Sequence, residues 1–161
     1  MDYFAHGFWS YIFFHKIKKP IHAVLWGLFP DTISWGVYFV YNLFTKGFLL
    51  GAPVLDQIPS WVYFLYGLSH SLIVVALVFG IIYLWKRMIP LALYAWPIHI
   101  LIDIPTHRGT FLPTPFLWPL SDFAFPGISW ASREFMIVNY LLISASLLYI
   151  LLKKRNEKKS T

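Results

Sequence analysis

His99 and Asp103 stand four residues apart in the stretch His99-Ile100-Leu101-Ile102-Asp103. On a helix this spacing puts imidazole and carboxylate on one face. There they can share one divalent ion, bind two ions a few ångströms apart, or pair with each other. His6, Asp31 and His70 are further ligand-type residues in apolar surroundings, and His107 and Arg108 follow just beyond the pair. An ionisable side chain at the centre of a bilayer costs roughly 2.5–3.5 kcal/mol on insertion scales, so such residues persist when they face a cavity, pair together or bind an ion. The chain has no cysteine, so a metal here would be held by nitrogen and oxygen, a donor set that suits zinc or manganese. A bound divalent ion lowers the pKa of its water and polarises a carbonyl or phosphoryl oxygen.

Each residue also has a plainer reading. His70 can be an interhelical hydrogen-bond donor, and His99 with Asp103 a structural ion pair. Asp31 can cap a helix that restarts at Thr32, and His107 and Arg108 can be solvated at the start of a loop. A shared depth favours a common site. At 1.5 Å per residue, Asp31 falls near mid-membrane and His70 about 13–14 Å from the outer end of its stretch. His99 and Asp103 fall in the outer half of theirs, and His6 near the outer start of the first. His15 and His22 belong to the opposite end and are not included.

The elements that must position these residues are apolar. Of 161 residues, 58% are hydrophobic, 20% aromatic and only 12% charged, about half the charged fraction that a soluble surface needs. Mean hydropathy is +0.62. Five apolar stretches stand out, at 3–15, 21–44, 61–85, 88–104 and 135–152. A spanning helix takes about 20 residues, so 61–85 and 135–152 are the strongest candidates, and 3–15 crosses only marginally or is half-inserted. The start of the chain lacks the order of features of a cleavable signal: Asp2 leads and the lysines follow the apolar run.

The formal charge of +6 does not point to nucleic acid, because its positions are those of topology signals. Lys16, Lys18 and Lys19, then Lys86 and Arg87, then Lys153, Lys154, Arg155, Lys158 and Lys159 would share one side, holding ten of 13 Lys and Arg. The C-terminus is therefore expected in the cytoplasm and the site toward the outer face, in a membrane expected to be a prokaryotic cytoplasmic one. Residues 105–133 carry five prolines and many aromatics, including Phe111, Phe116, Trp118 and Trp130, and read as an ordered outer loop. The expectation is an all-α integral membrane protein of about five transmembrane or half-inserted helices. Residues 1–152 would form one helical membrane domain, and 153–161 a basic cytoplasmic tail.

His6, Gly27 to Asp31, Ser69-His70-Ser71, His99 to Asp103, Gly109 and Pro119-Leu120-Ser121 together resemble the membrane-bound metal-dependent hydrolase family. The match runs from His6 to about Trp130. That family is similar in motif to zinc-dependent phospholipase C and related nucleases, although a second H-x-x-x-[DE] pair is missing here, which favours one or two ions over three. The resemblance implies hydrolysis of an ester or phosphodiester, in a lipid or lipid-linked substrate, by metal-activated water. His6, Asp31, His70, His99 and Asp103 are the expected metal ligands. Asp31 or His107 is the expected general base, and Arg108 the expected phosphate ligand, since a guanidinium presents paired donors. An ion or proton pathway through the same residues ranks second, because the inner half offers little beyond His15 and His22. A non-catalytic scaffold, with polar residues only joining helices, is the third reading.

Overall fold

A computed structural model of the protein describes residues 1–47, 54–108 and 113–159. Gly109 and Phe111 lie outside the described residues. All regular structure within them is helical. The Asp2 side chain accepts from the Ala5 N–H at 3.0 Å and caps α1, Tyr3–Phe14. Helix α2, Pro20–Asp31, opens on Pro20, whose fixed φ and missing N–H suit a first helical turn. The FPDTIS segment does not interrupt the helix. Pro30 has no N–H to donate to the preceding turn, and the ladder resumes through a π-helical turn, Thr32–Gly36, into α3, Val37–Thr45. Pro20–Thr45 is thus one rod of 26 residues.

The stretch 61–85, a single span in the sequence reading, is two helices. Helix α4, Ser60–Ser69, and helix α5, Leu72–Lys86, meet at 55° across His70 and Ser71. The break has a local cause: Ser71 is extended, and its hydroxyl oxygen accepts from the N–H groups of Ile73 and Val74, an N-cap inside an apolar run. A 3₁₀ turn, Leu91–Tyr94, leads into α6, Ala95–Thr106, which continues through Pro105. Helix α7, Arg133–Lys159, carries the basic tail as its own last turns.

Two helices, Pro20–Thr45 and Arg133–Lys159, are long and apolar enough to cross a membrane, and the bent pair α4–α5 is a third candidate. The distribution of side chains fits hydrocarbon surroundings. Phe4, Ile81, Leu84 and Leu141 are 65–70% exposed, whereas His6, His70, His99 and Asp103 are at most 1% exposed. This inverts the pattern of a soluble fold.

The segment 113–132 supplies hydrogen bonds that the broken helices leave open. Phe116 O accepts from the Leu72 N–H, and Pro105 O and Thr106 O accept from the N–H groups of Ile128 and Trp130, each at 2.9 Å. The Ser71 hydroxyl donates to the Trp118 carbonyl, and Trp96 Nε1–H donates to Ser69 O at 2.7 Å. Irregular backbone at membrane depth is tolerated when it is satisfied in this way within the protein. Val75, Trp96 and Ile100 form a buried core between α5 and α6, and Met1, Ala5 and Ile143 join the start of α1 to α7.

Candidate metal centre

The π turn after Asp31, the break between α4 and α5, and the i, i+4 pair of α6 meet at one place. His99 Nε2 lies 3.2 Å from His70 Nε2 and 3.1 Å from Asp103 Oδ2. His70 Nε2 is 3.7 Å from the same carboxylate oxygen and 3.5 Å from Asp31 Oδ1, and His99 Nε2 is 3.9 Å from Asp31 Oδ1. Ligands held about 2.0–2.1 Å from a tetrahedral ion are roughly 3.3 Å apart. The five separations, 3.1 to 3.9 Å, bracket that value.

The other imidazole nitrogens fix the tautomers. His99 Nδ1 is 2.7 Å from Gly27 O, a distance that requires Nδ1–H to donate. His70 Nδ1–H faces Tyr66 O at 3.2 Å and Ser69 Oγ at 3.0 Å, and the Ser69 hydroxyl in turn donates to Pro30 O at 3.1 Å. In the neutral imidazoles both Nε2 atoms then carry lone pairs that point inward, beside two carboxylates. Imidazoles tied by Nδ1–H to carbonyls are the usual arrangement of metal-ligating histidine.

Asp103 is the hub. Its Oδ1 receives His6 Nε2 at 2.9 Å and the amino nitrogen of Met1, and lies 3.5 Å from His107 Nδ1. The His6 ring stacks on His99 with centroids 3.5 Å apart. Two triads, His6/Asp31/His99 and His70/His99/Asp103, each bring ligand atoms within 4.8 Å of one another and can hold a metal ion. His99 belongs to both. With its Nδ1–H on the Gly27 carbonyl it has at most one lone pair to give, so the triads do not fill independently.

Of the residues expected from sequence, His6, Asp31, His70, His99 and Asp103 come together. His107 borders the cluster through Asp103, and its Nδ1–H donates to the Asp103 carbonyl at 3.2 Å. Burial pushes the His107 imidazole down to about 4, against the opposing pull of Asp103, so it is neutral at pH 7. Arg108 is exposed beyond the end of α6, and no contact among the described residues ties it to the cluster. The sequence reading did not include the carbonyls of Gly27 and Tyr66 or the amino group of Met1, and it named Ser69 only as a motif residue. Tyr66 was within reach, since a residue four before His70 on one helix presents its carbonyl there. Gly27 was visible as a motif glycine, but its partner was not.

The polar cluster opens on a cavity of about 650 Å³ whose lining includes Asp31, Tyr66 and His107. Asp31 is the member that reaches it, with a side chain 14% exposed against 0–1% for His70, His99 and Asp103. No protein-family model, curated protein or solved structure matches the chain.

Proposed function

We propose that the protein is a membrane-embedded, metal-dependent hydrolase that cleaves an ester or phosphodiester bond in a lipid or lipid-linked substrate. One observation carries this reading. Two imidazoles, with their Nδ1–H groups committed to carbonyls, turn both Nε2 atoms toward two carboxylates at 3.1–3.9 Å. With both imidazoles neutral, four acceptors face one another in a buried site, and a divalent cation between them would satisfy all four.

His70, His99, Asp103 and Asp31 hold the ion, with His6 completing the second triad and fixing Asp103. Zinc fits this nitrogen and oxygen set best, with manganese the alternative. When bound, such an ion supplies Lewis acidity to a water and to the bond under attack. Asp31, or His107 in the lining of the same cavity, accepts the proton. Arg108 presents paired donors to a phosphate at the end of α6. The motif run that resembles the membrane-bound metal-dependent hydrolase family points the same way.

The membrane arrangement that goes with this reading has five inserted segments: α1 and α6 partly inserted, and Pro20–Thr45, the bent α4–α5 pair and α7 crossing. The C-terminus is cytoplasmic, and the site faces the outer leaflet of a prokaryotic cytoplasmic membrane. Lys154 Nζ lies 3.2 Å from the Tyr11 hydroxyl, which brings the basic end of α7 to the end of α1 that leads into Lys16, Lys18 and Lys19. Two of the basic clusters thereby share one end of the molecule.

The test is elemental analysis of purified protein together with hydrolysis of a panel of phospholipids and lipid-linked phosphodiesters. One ion per chain, with turnover lost in His99→Ala and Asp103→Ala, is the expected result. Metal-free protein whose hydrolysis is the same in both variants as in the parent would end the proposal.

A further inference from the structure

The cavity beside Asp31 has two unlike ends. Asp31, Tyr66 and His107 line its polar side, and Phe4, Trp35 and Phe39 are among the rings that wall the rest. Phe4 is 70% exposed and Phe39 51% exposed on the outer apolar surface. The cavity therefore reaches the face that α1 and α3 turn toward hydrocarbon, and a ligand can slide in from the side without leaving the bilayer. A methylene takes up roughly the 30 Å³ that a water molecule occupies in the liquid. About 650 Å³ thus matches one long hydrocarbon chain.

We propose that the cavity binds the single hydrocarbon chain of a lipid phosphate and selects such amphiphiles over two-chain lipids. The chain lies along Phe4, Trp35 and Phe39, and the phosphate lies against the His/Asp cluster. The headgroup half rests on the metal-site reading, whereas the chain half rests on the cavity alone. Gly36 provides the means of testing it. The atoms nearest a Cβ there would be those of Thr32 and the Asp31 carbonyl of the preceding turn, at 3.6–3.9 Å, which are ordinary van der Waals contacts. A larger side chain at this position fills the space a lipid chain would take.

The experiment uses the full chain in nanodiscs of a branched-chain phosphatidylcholine, with hexadecyl phosphate carrying a mid-chain diazirine as probe. Photolysis should label peptides containing Phe4, Trp35 and Phe39. Gly36→Phe should cut that labelling roughly tenfold, a loss of about 1.4 kcal/mol in binding, while Gly36→Ala keeps it and both retain the parent's metal content. Unlabelled hexadecyl phosphate and geranylgeranyl phosphate, tested separately to distinguish straight from isoprenoid chains, should compete, and dioleoyl phosphatidate should not. Labelling concentrated on the outer face of α7, at Leu141 or Leu151, and unchanged in Gly36→Phe would overturn the proposal. Equal competition by dioleoyl phosphatidate on the parent protein would also overturn it, and does not depend on how any variant folds. Cavity labelling in a protein that binds no metal would support the chain site and remove the metal-site reading.

Discussion

His99 donates through Nδ1–H to the carbonyl oxygen of Gly27 at 2.7 Å, and Gly27 is also where α2 packs tightly against Ser10 of α1. The same residue lies in a close helix contact and orients a candidate metal ligand. A methyl group at Gly27 would fall 1.8 Å from Ser10 Oγ and 2.8 Å from Ser10 Cβ, so it cannot be added without moving α1.

Gly27→Ala should therefore cost stability and metal affinity together. Overpacking of this kind typically costs about 1–3 kcal/mol, and the displaced carbonyl would release His99. Adding Ser10→Gly should restore most of both. Thermal unfolding in detergent, paired with a zinc titration, measures the two effects. A Gly27→Ala protein that melts and binds like the parent would show that the crossing is not the constraint.

His6 and His99 should differ in severity. His99 is common to both triads, so His99→Ala should abolish stoichiometric binding. His6 reaches Asp103 Oδ1 at 2.9 Å and supports that carboxylate. Loss of such support generally lowers metal affinity by about 10–100-fold. Competition against a chelator of known affinity separates the two variants. Equal losses would make His6 as essential as His99.

Ser71 holds two elements at once, capping α5 and donating to the Trp118 carbonyl. Ser71→Ala should destabilise the protein by roughly 1–2 kcal/mol, as expected for a lost N-cap, whereas Ser71→Thr, which keeps the hydroxyl, should lose much less. Denaturation midpoints provide the comparison. If the alanine and threonine variants unfold alike, the hydroxyl contributes nothing.

Metal should leave the protein in acid and return on neutralisation. Imidazole and carboxylate bind an ion only when deprotonated, so protons compete with metal and affinity rises with pH. An ion that binds the folded chain stabilises it, so on the proposed reading its removal should lower stability, by about 2.7 kcal/mol where free metal had stood at 100 times its dissociation constant. Unfolding followed with and without a chelator at neutral pH tests this. An unfolding midpoint indifferent to both chelator and added zinc would count against a bound ion.

Parts of the site were legible because they depend on one helix at a time. The i, i+4 spacing of His99 and Asp103 places both on one face wherever α6 packs. The break at His70 was not read, since an unbroken apolar run from Trp61 to Trp85 looks like one span by length and hydropathy. The weight of a single serine cap against that run depends on whether another segment satisfies the freed backbone groups. Here Phe116, Trp118 and Trp96 do so, from positions far along the chain. Asp31 was read as buried and ligand-type, yet the π turn that follows it depends on Pro30 and on packing against α4.

By itself, the sequence determined that the chain is helical and apolar on its outer faces, and which histidines and aspartates would be costly to bury alone. These are properties of composition and of spacing along single helices. Only the tertiary structure decided that His70, His99, Asp31 and Asp103 converge within 3.1–3.9 Å, which nitrogens face inward, and that Asp31 borders a cavity. Those outcomes rest on contacts between segments up to about 70 residues apart, as between Gly27 and His99. Burial forces each buried donor and acceptor to find a partner, and local sequence does not reveal which one it finds.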